Sequence, residues 1–311
     1  MRAVVVGGNG FIGSHLVDAL LADGWQVVVY DRAPERYRPP LARVEYVLED
    51  LGNTSALSSV LPRSDVVFHL ASTTIPKSSN DAPVFDIQSN LINTVRLLEV
   101  CVRSQVGKIV FLSSGGTVYG VPMSLPVNEI HPTNPICAHG IVKLAIEKYV
   151  YLFNRLYGLG CTILRPSNPY GRRQNPAGKQ GAVSVFLGSI AQDLPVTIWG
   201  DGEVIRDFFH VSDLARACLL AATLETPSPI FNIGSGVGIS LNQLLKVIES
   251  VIQKTFRVVY LPARPFDVPN IVLDVQRVGV EMNWTPGIAL EKGILETWDW
   301  VHSLQWLNPA S

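Results

Sequence analysis

Along the first 165 residues, short apolar runs alternate with longer stretches whose apolar residues recur at helical spacing. The runs are Ala3 to Val6, Val27 to Tyr30, Val44 to Leu48, Val66 to Leu70, Ile109 to Leu112 and Thr162 to Leu164. Most are apolar at consecutive positions, which is what a strand needs when helices cover both faces of its sheet. Between them, Gly13 to Asp23, Asp86 to Ser104 and Gly140 to Tyr157 read as helices, the last two with apolar side chains three and four apart. Strand and helix alternating from residue 2 predict an α/β fold with a doubly wound parallel (Rossmann) sheet in residues 1–165. Beyond Arg165 the pattern breaks: Pro166, Pro169, Gly171, Pro176, Gly178 and Gly181 crowd a stretch that reads as a long loop. Strands at Val196 to Trp199, Ile230 to Ile233 and Arg257 to Tyr260, with helices at Ser212 to Leu224 and Ser240 to Ile252, follow it. They predict a smaller α/β C-terminal substrate lobe, mainly residues 166–311, with later segments returning to the first domain. The stretch Leu295 to Leu307, carrying Trp298, Trp300 and Trp306, either completes that lobe's core or lies at a membrane surface.

Composition narrows the class. Of 311 residues, 47% are hydrophobic and 16% charged, so a large core is available and global disorder is excluded. Lys and Arg number 25 against 26 for Asp and Glu, and no run of five like charges exists to track a phosphate backbone, which argues against a nucleic-acid partner. Cys101, Cys137, Cys161 and Cys218 stand 36, 24 and 57 positions apart, without the close pair of a zinc site or dithiol motif, so no metal is expected. No stretch of 18 apolar residues occurs, and the N-terminus enters an apolar run at Ala3 without a signal peptide's h-region. A cytoplasmic protein with at most peripheral membrane contact is expected.

The first strand runs into Gly7-Gly8-Asn9-Gly10-Phe11-Ile12-Gly13, with glycines at 7, 10 and 13 between strand and helix. Without side chains there, the backbone can turn tightly, approach a pyrophosphate and pack helix on strand, while the helix N-terminus supplies N–H groups and a positive dipole end. Asp31 ends the second strand, 18 positions after Gly13, where a carboxylate can hold both ribose hydroxyls of NAD and repel the extra phosphate of NADP. Arg32 beside it speaks the other way.

The glycine pattern, Asp50-Leu51, His69-Leu70-Ala71-Ser72, Ser113-Ser114-Gly115-Gly116-Thr117-Val118-Tyr119-Gly120 and Arg165-Pro166-Ser167-Asn168-Pro169-Tyr170-Gly171 appear in the order found in extended short-chain dehydrogenases. Together with Trp199-Gly200-Asp201-Gly202, Arg206-Asp207-Phe208 and the segment from Asp274 through Arg277 to Trp284-Thr285-Pro286, nearly the whole chain resembles the NAD-dependent epimerase/dehydratase branch that includes UDP-glucose 4-epimerase. The resemblance implies NAD as cofactor and a UDP-sugar substrate, such as UDP-N-acetylglucosamine, UDP-glucose or their uronic acids, epimerised at C4 through a 4-keto intermediate. It also implies a homodimer through the helices Asp86 to Ser104 and Gly140 to Tyr157. Asp50 and Leu51 would lie at the adenine, Leu70, Ala71 and Ser72 along the cofactor with Ser113 and Pro166, and Asn90 and Lys143 at the nicotinamide half.

Members of this family carry Tyr-x-x-x-Lys on one helix face, the ammonium favouring a phenolate that takes the sugar's proton. Here the sequence reads His139-Gly140-Ile141-Val142-Lys143. Three readings of position 139 stand: an imidazole base, a substitution introduced to trap a complex, and a natural homologue with reduced or altered chemistry. The family's Ser or Thr donor falls on Gly115, so Ser114, or Thr117 behind it, is expected to hydrogen-bond the reacting oxygen. Gly116 and Thr117 stand where 4,6-dehydratases carry an Asp-Glu pair, which argues against dehydration.

By the same resemblance, Arg206 and Arg264 would bind the diphosphate, Asp267 the nucleotide ribose and Asn168 the sugar diphosphate. Val183 and Trp199, with Tyr170, would pack around a uracil. Gly115 and Thr117 would border the sugar. Three other roles are weighed: an epimerase of undecaprenyl-diphosphate-linked N-acetylhexosamine, a 4-keto-sugar reductase, and a catalytically silent NAD-binding homologue.

Overall fold

The computed structural model describes residues 1–178, 180–263 and 268–304. Arg264, Asp267 and Trp306, named above, lie outside the described residues. The strands are β1 (Arg2–Val6), β2 (Gln26–Asp31), β3 (Val44–Leu48), β4 (Val66–His69), β5 (Lys108–Leu112), β6 (Gly160–Pro166), β7 (Asn168–Tyr170), β8 (Val196–Trp199), β9 (Ile205–His210), β10 (Ile230–Ile233), β11 (Gly238–Ser240), β12 (Val258–Leu261) and β13 (Asn270–Ile271).

Seven of them form one parallel sheet in the order β10-β6-β5-β4-β1-β2-β3. Consecutive apolar residues point to opposite faces and both faces are covered: Ala3 and Val5 enter one core, Val4 and Val6 the other. Helices Phe11–Ala22 and Val211–Thr223 supply the first core, and Asn93–Arg103 and Ala138–Tyr157 the second. The winding direction reverses between β1 and β4, which opens a crevice at their carboxyl ends.

β10 and helix Val211–Thr223, read above among the later elements, belong to this sheet and its first core. β10 pairs with β6 in the register Phe231 to Leu164. A separate core gathers Val183, Phe186, Ile198, Leu244 and Ile294. Trp298 and Trp300 are packed against it, so this part of the tryptophan-bearing stretch serves core packing.

The long Pro/Gly stretch is not all loop, since β7 lies within it and pairs with β9. The segment expected as one helix from Asp86 to Ser104 is divided into Pro83–Asp86, a π turn Ile87–Ile92, and Asn93–Arg103. Among the described residues no helix is long and apolar enough to cross a membrane, and no His, Cys, Asp and Glu cluster could hold a metal ion.

Candidate active site

Gly7 leaves β1 at φ +87°, and a Cβ on it would lie 2.7 Å from the Ala71 nitrogen. A Cβ on Gly13 would overlap the Gly7 carbonyl oxygen. Only glycine permits these approaches of backbone to backbone. Helix Phe11–Ala22 begins at Gly10 with no side-chain cap and no acidic residue in its first turn, so its leading N–H groups suit an anion.

Beside it opens a cavity of about 300 Å³. Gly7, Asn9, Gly10, Asp31 and Arg32 line one side, and Asp50, Leu51, Leu70, Ala71, Ser72 and Asn90 the rest. The Asp31 carboxylate is held by N–H donors from Asn9, at 3.0 Å, and Ala33, at 3.3 Å. A glycine cradle, an uncapped helix start and a carboxylate at the end of β2 fit an adenine dinucleotide. Phe11 and Ile12 lie on the neighbouring, larger cavity instead.

Helix Ala138–Tyr157 starts where the Ala138 N–H donates to Asn80 Oδ1 at 2.9 Å. His139, Lys143 and Glu147, four apart, share its buried face. Arg165 grips the Glu147 carboxylate through Nε at 2.9 Å and Nη2 at 2.6 Å, and the Ser113 hydroxyl donates to the same carboxylate. The Ser113 side chain is thereby committed to the helix rather than turned to the cofactor cavity.

Lys143 Nζ donates to the Leu112 carbonyl at 2.9 Å and lies 4.9 Å from the Phe111 ring centroid. Burial lowers its pKa to about 8 against the opposing pull of Asp86 and Glu147. Burial, reinforced by the Lys143 ammonium, takes His139 down to about 4, so its imidazole is neutral at pH 7. His69, bonded through Nε2 to Thr94 Oγ1 at 2.8 Å, is pushed down to about 3 by burial and by Lys143.

The Gly115 N–H donates to the Pro166 carbonyl at 2.8 Å. A Cβ on Gly115 would lie 2.5 Å from Leu273 Cδ1 and 2.9 Å from the Arg165 carbonyl oxygen. The position where the family places a hydroxyl is therefore closed by an apolar side chain from far along the chain. Half-buried Ser114 begins a turn, its carbonyl accepting from Thr117 and Val118 N–H. Thr117 Oγ1 is buried, with no hydrogen-bond partner among the described residues.

Next to the cofactor cavity lies one of about 570 Å³, which Asn168, Val183, Trp199 and Arg206 line together with Tyr170. Arg206 Nη1 donates to the carbonyls of Ile205, at 2.9 Å, and Pro269, at 3.2 Å. Sequence reasoning missed Ile75, Gln174, Asn175 and Phe186 on this wall. It also missed Asp86 and Asn80, whose roles depend on folds of the chain rather than on a motif. Glu147 was open to discovery, eight positions from His139 on one helix face.

A model of the NAD dependent epimerase/dehydratase family matches residues 3–234. The chain belongs to that family. It is an NAD-dependent sugar epimerase by this membership. The UDP-glucose 4-epimerase of Mycolicibacterium smegmatis is 36% identical over 306 residues, covering 96% of this chain and 97% of that one. The crystal structure of Thermotoga maritima UDP-glucose 4-epimerase with UDP-glucose superposes with a TM-score of 0.92 at 35% identity, covering 96% of this chain and 98% of that one. Thermus thermophilus UDP-glucose 4-epimerase in complex with NAD also gives 0.92, at 34% identity over 97% and 99% of the two chains.

Proposed function

We propose that this member of the family interconverts the C4 epimers of a UDP-hexose, UDP-glucose or UDP-N-acetylglucosamine in the first place, through a 4-keto sugar. The observation that carries this is that the two cavities are neighbours, Gly10 lining one and Phe11, the next residue, the other. A dinucleotide in one and a sugar diphosphate in the other would meet there. Bound NAD supplies reversible hydride acceptance.

The chain's own residues handle the proton and the oxygen. Neutral His139 takes the hydroxyl proton and returns it, and Ser114 or Thr117 hydrogen-bonds the reacting oxygen. Residues 166–311 supply most of the substrate lobe, and Asn168 and Arg206 hold the diphosphate. An undecaprenyl diphosphate would offer the same phosphates and is the alternative carrier. Exposed Ile141, Tyr149, Leu152 and Leu156 on helix Ala138–Tyr157 support a homodimer through that face.

A second reading, a 4-keto-sugar reductase or a silent NAD-binding homologue, is favoured by the weak basicity of His139 and the closure over Gly115. The test is to incubate purified protein with UDP-glucose and UDP-N-acetylglucosamine without added NADH. Formation of the C4 epimer supports the epimerase. In a parallel incubation with a 4-keto sugar and added NADH, stoichiometric NADH consumption supports the reductase.

A further inference from the structure

The connector between β2 and β3 begins at the cofactor cavity, which Arg32, Ala33 and Pro34 help to line. Asn9 Nδ2 holds it there by donating to the Ala33 carbonyl at 2.7 Å. A few residues on, a row of alternating charges fastens it. Arg38 Nε pairs with the Glu35 carboxylate at 2.7 Å, and Arg38 Nη1 donates to one oxygen of Asp18 on helix Phe11–Ala22. The other Asp18 oxygen accepts from Arg173 Nη2 at 2.7 Å. Glu35, Arg173 and Arg38 keep only 4%, 14% and 16% of their side-chain surface exposed, so three of the four charges are largely desolvated and depend on one another, while Asp18 keeps 43%.

Arg173 comes from elsewhere in the chain. It follows β7, its neighbours Gln174 and Asn175 line the larger cavity, and Arg172 Nε donates to the Glu296 carbonyl on helix Leu290–His302 at 3.3 Å. Tyr37 meets Trp300 of that same helix edge to face, with ring centroids 5.2 Å apart. A third cavity, of about 170 Å³, separates the two segments, with Gly10 and Tyr37 on one side and Arg173 and Asn175 on the other. Arg173 stands on no wall of the cofactor cavity and reaches the connector through Asp18.

We propose that Asp18 is a positioning residue: by pairing with Arg38 and Arg173 at once, it latches the β2–β3 connector to the segment after β7 and slows the release of NAD. A dinucleotide lying between the glycine loop and the connector leaves when the connector swings off helix Phe11–Ala22, and that motion breaks the latch. The proposal rests on NAD as cofactor and on no particular sugar, so it stands or falls apart from the epimerisation test. Its distinguishing consequence is that a side chain with no contact to the cofactor cavity governs how fast the cofactor departs.

The experiment loads the full chain with NADH and follows its fluorescence as excess NAD displaces it. Asp18→Asn, Arg38→Met and Arg173→Met should each speed release by about fivefold, the upper range for a partly exposed ion pair. Asp18→Asn combined with Arg173→Met should release no faster than Asp18→Asn alone, because both remove one contact. Arg173→Lys keeps the cation and should retain most of the slow release. Because Asp18 is half-exposed, the gap between wild type and Asp18→Asn should narrow from about 0.05 M to 1 M salt. Lys254→Met, which breaks the remote pair with Asp193, should release at the wild-type rate. Arg173→Gln gives the same readout should the methionine variant not fold. Wild-type release in Asp18→Asn or Arg173→Met overturns the proposal, as do fully additive effects in the double variant or a gap that salt leaves unchanged.

Discussion

An imidazole at position 139 reverses the usefulness of its lysine neighbour. A phenol begins near pKa 10, so a nearby ammonium brings it toward neutrality and makes it a base. An imidazole begins near 6.5, and burial with the same ammonium carries His139 to about 4, well below where a general base works best at pH 7. His139→Tyr should therefore raise epimerase turnover on a UDP-hexose about 100-fold, within the usual range for general acid–base catalysis. No gain on any UDP-hexose would favour the silent homologue. Gly115 sets the second condition. Gly115→Ser alone should destabilise by about 1–3 kcal/mol, because its Cβ meets Leu273 and two backbone carbonyls, and should add no turnover. Leu273→Ala frees only the side-chain part of that clash. Adding it should recover part of the lost melting temperature, and in a His139→Tyr background the hydroxyl at 115 should then increase turnover. Equal stability of Gly115→Ser with and without Leu273→Ala would show that the leucine does not close the position.

Among the elements, helix Ala138–Tyr157 is tied to the sheet by a buried ion pair between Glu147 and Arg165. Arg165 on β6 also donates through Nη1 to the Tyr119 hydroxyl at 2.9 Å, and Tyr119 donates to Asn232 Oδ1 on β10 at 2.6 Å. One guanidinium thus ties the helix to two strands and a loop. Arg165→Met should cost about 3–5 kcal/mol in urea unfolding by leaving the buried Glu147 carboxylate with the Ser113 hydroxyl but no opposite charge, and Glu147→Leu in the same chain should restore much of it. An unchanged midpoint in the single variant would mean that Glu147 finds water or another donor. The main sheet was legible because its strands need consecutive apolar residues, and the glycine triplet because its sterics are local. β7 was hidden because Pro169 sits inside it, Gly171 follows it, and its partner β9 lies some forty residues on. The π turn was hidden because Ile87 to Ile92 keeps helical periodicity while changing only its hydrogen bonding. The Leu273 contact with Gly115 joins positions with no local pattern in common, so only the fold reveals it.

For the molecule as a whole, these sites share one electrostatic property, which is that buried histidines are kept neutral. His15 is lowered to about 4, His69 to about 3 and His139 to about 4, with burial the largest cause each time. In the unfolded chain each takes up its proton near pH 6.5. Below that value the unfolded state binds more protons than the native one, so the stability present at higher pH is lost as pH falls from 6.5 toward each folded value. Each histidine contributes up to about 1.4 kcal/mol per pH unit in its window. The three together can remove roughly 6 kcal/mol between pH 6.5 and 5, an upper figure because His15 is only half-buried, but comparable to the 5–15 kcal/mol of a typical fold. Calorimetry should show the melting temperature falling steeply over this interval. Replacing His69 by Leu should make that slope shallower, since one of the buried proton sites is gone while others, His210 among them, remain. The comparison is between slopes rather than melting temperatures, because losing the bond to Thr94 shifts the whole curve at every pH. A melting temperature level from pH 6.5 to 5 in the wild type would mean that these imidazoles are protonated inside the fold. His139 could then not be the neutral base on which the proposed chemistry depends.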